Sequence, residues 1–326
     1  ASSSTTLISN CLIAGNWGTN GGGIVCTGHG RPKIENCTIT GNHAEETGGG
    51  LFCGPESSAE VVNSIVWSNV APLGPQVSLL GSPLSITPGI TPTPVTTARI
   101  SYCNIEAGQA DVNVAGYAKL SWGRGNLDVD PRFVGGSSGT WTAEAVYDPP
   151  ARQTTLTDAN AVWIDGQLTG KLLHPDASLY PQGLIAANTA TTVKVWGDYS
   201  DLGLPEIAYQ IHDNHLSPCS LCIDAGSNAL PSSWLVTDLD GNPRYVDDPF
   251  TSDTGSGVPP IVDIGAYEYQ ADCVGDLNGD RSIDAGDLMI LLCAYGVSDA
   301  GDIDCDSDTD LSDLALLLDA YGSACE

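Results

Sequence analysis

Between residues 5 and 69 the chain repeats itself at a period of 26 to 27 residues. Asn10-Cys11-Leu12-Ile13 returns as Asn36-Cys37-Thr38-Ile39 and again as Asn63-Ser64-Ile65-Val66. Gly21-Gly22-Gly23-Ile24-Val25-Cys26 returns as Gly48-Gly49-Gly50-Leu51-Phe52-Cys53, and Gly15-Asn16, Gly41-Asn42 and Ser68-Asn69 mark a shared turn. Each unit holds two short alternating segments between glycine-rich corners. A unit this small cannot bury a core alone; it becomes stable by stacking, with like residues above one another.

That is the pattern of a right-handed parallel β-helix with one coil per repeat. The alternative is a β-sandwich whose repeats are coincidental. In the β-helix reading, Cys11, Cys37, Ser64 and Cys103 form an inward column, and Ile39 and Val66, two residues further on, also face the interior. The asparagines beside the column are expected to stack as an amide ladder. Six prolines within 71–98 exclude that stretch from a sheet, so it reads as a loop thrown out from one corner. Scarce aromatic residues (6%) and 38 glycines agree with a mainly β chain of many tight turns.

The C-terminal end carries a separate duplication. A 12-residue loop from Asp276 to Asp287 and another from Asp302 to Asp313 start 26 residues apart. Each leads into an apolar run, 288–296 and 314–322, closing on Ala-Tyr-Gly. Side-chain oxygens at loop positions 1, 3, 5 and 12, a backbone carbonyl at 7 and often a water at 9 form a calcium shell. On that numbering the first loop offers Asp276, Asn278, Asp280, Ser282, Asp284 and Asp287. The second offers Asp302, Asp304, Asp306, Asp308, Asp310 and Asp313. Leu288, Leu291, Leu292 and Tyr295, like Leu314, Leu317, Leu318 and Tyr321, recur at helical spacing and predict a buriable stripe. A merely solvated acidic tail would need neither the stripe nor the matched register. Two Ca2+ ions are expected, with Asp287 and Asp313 as bidentate ligands.

Over about residues 273–324 the paired loops resemble a type I dockerin, a calcium-binding module that docks onto cohesin domains. The aspartate at position 12 with Leu288 or Leu314 after it fits that family. The resemblance implies an α-helical paired calcium-loop domain and a cohesin-like or cell-surface protein as partner. Cellulosomal dockerins carry their partner-selecting Ser-Thr at loop positions 10 and 11, where this chain has Ala285-Gly286 and Leu311-Ser312. Thr309 stands where an aliphatic residue is usual at position 8. The four cysteines of this segment allow three pairings. Antiparallel packing of the two helices would favour Cys273–Cys325 with Cys293–Cys305.

Further motifs resemble the closing coils of secreted bacterial β-helix proteins, common in planctomycetes, whose fold is pectin-lyase-like. They are Ser217-Pro-Cys219-Ser-Leu-Cys222-Ile-Asp224-Ala-Gly226, Asp238-Leu-Asp240-Gly-Asn-Pro-Arg244 and Asp263-Ile-Gly-Ala-Tyr-Glu268. The domain reading is therefore β-helix coils over 1–138, an inserted small β module over 139–215, closing coils over 216–270 and the dockerin-like segment over 271–326.

Net charge narrows the function. Of the formal −29, the segment 271–326 contributes −13 and the remaining 270 residues −16, which disfavours nucleic acid and anionic membrane. No stretch approaches the ~20 apolar residues of a membrane span. The chain opens inside what reads as a repeat, suggesting a processed product or fragment. Eleven cysteines beside two calcium loops suggest a secreted, oxidising setting, and the odd count leaves one thiol unpaired. His212, His215, Cys219 and Cys222 crowd four zinc-type donors into 11 residues, too close for the chain to wrap an ion. Asp128, Asp130 and Arg132 could mimic a lyase site, but they equally make a turn closed by an ion pair. No convergent acid–base set can be assembled, so this chain is read as a binding or attachment protein rather than an enzyme. The alternative is the C-terminal part of a polysaccharide lyase or hydrolase.

Overall fold

The computed structural model describes residues 5–82, 96–134, 136–178, 182–202, 205–270, 274–278, 280, 282–306 and 308–324. It forms two compact units: Ala1–Ile13, Trp17–Phe133 and His215–Glu326 make one, Ala14–Asn16 and Val134–Asn214 the other.

The repeats of the first unit stack as parallel coils. One sheet is built from Leu7–Ser9, Lys33–Glu35, Ser58–Val62, Thr96–Ser101 and Ala118–Trp122 in that spatial order. A second contains Leu12–Ala14, Thr38–Thr40, Ile65–Trp67 and Asn104–Ile105; a third contains Ile24–Cys26, Leu51–Cys53, Val77–Leu80 and Asn113–Ala115. Parallel register sets like on like: Ile8, Ile34, Val61 and Ile100 form one rung series, and Ile39, Val66 and Ile105 another. Ile39 and Val66 are buried, as are Cys37, Ser64 and Cys103, so the inward column lies where the repeat placed it. Cys11 is half-buried against the same core.

The corner before each inward residue explains the recurring Asn. Asn10, Asn36 and Asn63 adopt φ of 49°, 49° and 46°, a left-handed conformation that Asn tolerates better than most residues. The glycine triplets meet a different demand. A Cβ on Gly22 would lie 2.5 Å from the His43 carbonyl oxygen, and one on Gly49 2.6 Å from that of Val70. Only glycine lets adjacent coils approach so closely.

Three expectations are corrected. The amide ladder forms at the shared turn instead of beside the cysteines: Asn42 Nδ2 donates to Asn69 Oδ1 at 2.9 Å, and Asn69 Nδ2 to Gln76 Oε1 at 2.8 Å. Asn36 is committed to its corner and its amide has no hydrogen-bond partner among the described residues. Within 71–98, Val77–Leu80 is a regular strand paired with Leu51–Cys53. Pro72 and Pro75 precede that strand, where they remove no ladder bond, and the other four prolines fall outside the described residues.

Residues 216–270 do not stack as further coils. They contain no extended strand and lie against the second sheet's outward side chains, with Leu216, Cys222, Ile223, Ala225 and Ile264 packed on Ile65. Their motif residues form a buried polar network. Asp238 accepts the N–H groups of Asp240, Asn242 and Glu268, which makes its segment a tight turn. Arg244, 1% exposed, donates to the carbonyls of Gly265 and Ala266 and to Asn10 Oδ1, and lies 3.6 Å from Glu268.

The second unit is an antiparallel sheet ordered Ser138–Thr140, Ala208–His212, Leu172–His174, Gly183–Asn188, Thr192–Trp196, Gln153–Thr157 and Val146–Asp148. Trp141, Leu156, Leu173, Ile185, Val195 and Tyr209 form its core. Tyr209 stacks on Trp141 and donates to buried Asp158 at 2.8 Å.

Candidate metal centre

Two helices, α1 (Ala285–Ala294) and α2 (Leu311–Ala320), follow the aspartate loops. Each starts with the same reciprocal cap. Asp284 accepts the Gly286 N–H and Asp310 the Ser312 N–H, both at 2.6 Å. The residue at position 12 closes the box: Asp287 Oδ2 accepts from Asp284 at 2.8 Å and Asp313 Oδ2 from Asp310 at 2.7 Å. The other oxygen of each reaches back to the loop start. Asp287 Oδ1 accepts from Leu277 and Asn278, and Asp313 Oδ1 from Ile303 and Asp304. Both carboxylates are fully buried. Acidic groups at a helix N-terminus also meet the favourable end of the helix dipole.

Capping accounts for positions 9 and 12 but leaves positions 1, 3, 5 and 7 unexplained. In the second loop, one oxygen each from Asp302, Asp304 and Asp306 lies within 4.8 Å of the others, and so do those of Asp308, Asp310 and Asp313. Oxygens around a calcium ion held at about 2.4 Å can stand at most about 4.8 Å apart. Asp304 Oδ1 is buried without a hydrogen-bond partner. Desolvation, then the charges of Asp306 and Asp313, pushes the Asp304 carboxyl above its ordinary range; Asp306 does most to raise Asp308. Hard oxygens, mutual repulsion and an orphaned acceptor fit a hard divalent cation. In the first loop Asn278 and Ser282 stand in for carboxylates at positions 3 and 7, and Asn278 Nδ2 donates to Asp280 at 3.1 Å. Asp276 Oδ1 accepts the Asp280 N–H as Asp302 Oδ1 accepts that of Asp306, each at 3.2 Å.

The two loops also cross-pair. Gly322 after α2 donates to the Ile283 carbonyl at 2.7 Å, and Gly296 after α1 to the Thr309 carbonyl at 2.9 Å. Thr309 is buried, yet its hydroxyl donates to Ser298 and accepts from Gly301, so the polar residue at position 8 is satisfied. Ile283, Leu291, Ile303 and Leu317 form the shared core. The expected stripe is only partly buried: Leu292, Tyr295, Leu318 and Tyr321 remain 53%, 42%, 53% and 46% exposed.

Cysteine pairing differs from expectation. Cys305, in the second loop, is bonded to Cys219, with Cα atoms 5.2 Å apart. Cys293 is an exposed free thiol on α1, so the Cys293–Cys305 pair is not formed. Loop two lies against the segment carrying Cys219, whose Sγ is 3.5 Å from the Asp302 carbonyl. Cys273 and Cys325 fall outside the described residues.

The other candidates do not converge. Cys219 is in the disulfide, Cys222 is buried beside Asn104, His215 pairs with Asp240 at 2.7 Å, and His212 meets the His174 ring edge to face. Asp130 accepts the Arg132 N–H, and the guanidinium reaches Asp299 at 3.4 Å, so this is a turn without the expected local ion pair.

Sequence reasoning missed a groove of about 730 Å³ on the outer side of the first sheet, lined by Arg31, Lys33, Glu60, Arg99 and Lys119 among others. Four of the chain's 11 basic residues gather there. Register stacks Lys33, Glu60 and Arg99 in one column and Thr97 beside Lys119. Within the repeat the same outward column reads Leu7, Lys33 and Glu60, so no basic run shows there; Arg99 and Lys119 lie beyond residue 69 and join the groove only through the register.

Residues 1–118 match a protein family described as "Right handed beta helix region". No curated protein and no solved structure matches the chain. The match supports a right-handed β-helix for the stacked coils. Among the described residues no helix is long and apolar enough to cross a membrane.

Proposed function

We propose that this is an extracellular attachment protein whose residues 274–324 bind two calcium ions and dock onto a cohesin-like or other cell-surface protein. The stacked coils would then present a surface at the attachment point. The observation that carries this reading is the apolar face left by two capped helices. Leu292 with Tyr295, and Leu318 with Tyr321, stay exposed at matching positions, although Leu291 and Leu317 beside them are buried. Exposed apolar patches of this kind mark interaction surfaces. Bound calcium supplies the positive charge that offsets the crowded carboxylates. Asp302, Asp304, Asp306 and Asp313 would hold it in the second loop, and Asp276, Asn278, Asp280 and Asp287 in the first.

Capture of cell-surface proteins on the immobilised full chain tests the reading. Capture should require calcium and should disappear in a Leu292→Asp/Leu318→Asp variant that still binds calcium. Capture indifferent to chelator, or unchanged in that variant, refutes calcium-dependent docking.

A second reading, binding of an acidic polysaccharide, is favoured by the basic groove in an otherwise strongly acidic chain. Arg31, Arg99 and Lys119 are exposed there and have no ion-pair partner among the described residues. Glu60 is the sole carboxylate among the lining side chains, which favours binding over cleavage. Affinity electrophoresis in polygalacturonate should retard the parent chain more than an Arg99→Ala/Lys119→Ala variant. Equal mobility of the two excludes the groove.

A further inference from the structure

Outside the aspartate loops, one buried carboxylate lacks a complete set of partners. Asp224 follows the core residues Cys222 and Ile223 and sits in the left-handed region at φ 50°. Its backbone is fully engaged: the N–H donates to Asp263 Oδ1 at 2.8 Å, and the carbonyl accepts from Thr254 and Gly255. Oδ2 accepts the Asp248 N–H at 3.2 Å. Oδ1 is buried with no hydrogen-bond partner, on a residue that is 0% exposed. An ionised carboxylate in that position is costly unless something positive faces it.

What faces it is more negative charge. One oxygen each from Asp224, Asp247 and Asp253 lies within 4.8 Å of the others, and Asp247 and Asp253 are exposed. None of the three pairs with a basic side chain among the described residues. Burial first, then Asp253, Asp247 and Asp248, raises the Asp224 carboxyl to about 7. The cluster joins one fully buried carboxylate, with an orphaned oxygen, to two exposed ones. Three hard oxygens at that spacing match the span of a calcium shell.

We propose that Asp224, Asp247 and Asp253 form a cation site for calcium, separate from the two aspartate loops, that pins the segment 247–253 onto the residues covering the second sheet. Remaining coordination positions would be filled by water, as is usual where only a few protein oxygens converge.

Equilibrium dialysis of the full chain against calcium, with the bound metal counted by atomic emission, tests this. With both loops and this site occupied the parent should hold three ions. Asp224→Asn, nearly isosteric, should lose one. So should Asp247→Asn/Asp253→Asn, whose positions are exposed and tolerate the change without unfolding, as circular dichroism would verify. An Asp287→Ala/Asp313→Ala variant should lose the loop ions but keep this one. The proposal is overturned if Asp247→Asn/Asp253→Asn binds as many ions as the parent, or if Asp287→Ala/Asp313→Ala binds none. Were the loop sites themselves absent, the parent would hold one ion, and Asp247→Asn/Asp253→Asn would hold none. The two claims therefore fail separately.

Discussion

Arg244 is the side chain on which the residues covering the second sheet most depend. It brings a guanidinium into a site with 1% exposure, and burial lowers its pKa while Glu268, Asp238 and Asp263 raise it. Burial in turn pushes Asp263 up to about 8 and Glu268 well above the usual carboxyl range, with Arg244 opposing both. Arg244→Met would leave the Gly265 carbonyl without its donor, the Ala266 carbonyl with only the Leu239 N–H, and the carboxyls without a cation. Urea denaturation should show a loss of about 3–5 kcal/mol; a loss below about 1 kcal/mol would mean that the network is dispensable. His174 poses the opposite case in the second unit. Burial, then the charge of His212, lowers its pKa from 6.5 to about 4. Between those values the unfolded chain takes up a proton that the folded chain refuses. Stability from this group is therefore complete above pH 6.5 and is lost as pH falls toward 4. A proton NMR titration should place the His174 midpoint near 4, and a midpoint near 6.5 contradicts its half-buried placement beside His212.

The strands were legible where the repeat was strict. Period and alternation together fix which side chains face inward, because a one-residue slip would reverse every one of them. Ile39 is the sharpest check: it is fully buried in the rung series that also buries Val66 and Ile105. Ile39→Asp should destabilise by roughly 3–5 kcal/mol or prevent folding, and a melting temperature within a degree or two of the parent would mean the coil register is wrong. Elements whose sequence signals serve packing were harder to read. In 216–270, Asp238, Arg244, Asp263 and Glu268 look like turn punctuation but form an internal network, so the segment covers a sheet without joining one. At Val77–Leu80 the flanking prolines masked a strand that they leave intact. In α1 and α2 the spacing of Leu292 and Leu318 is that of a buried stripe, and periodicity cannot tell a side chain that meets its own core from one left exposed.

At the scale of the whole chain, cysteine count proved a weaker guide than cysteine position. Cys26, Cys37, Cys53, Cys103 and Cys222 are buried thiols serving as small core residues, while the described disulfide joins Cys219 to Cys305 across 86 residues. No local spacing could announce that link, because it depends on where loop two meets the 217–222 segment. The duplicated spacing of the aspartate loops was legible in the sequence, while the caps at Asp284 and Asp310 and the cross-pairing at Gly296 and Gly322 emerge only from the fold. A partner for the exposed apolar face was not legible, because such a face records what it offers and not what accepts it. On the proposed reading these loops are calcium sites, and their occupancy orders the face that carries Leu292 and Leu318. Hydrogen–deuterium exchange of the full chain, with calcium and with chelator, tests it directly. With calcium, the amides of Leu277, Asn278 and Asp284, and of Ile303, Asp304 and Asp310, should exchange far more slowly, because the carboxylates of Asp287 and Asp313 that accept them would be held by the ion. Identical exchange in both loops with and without calcium would contradict calcium binding there.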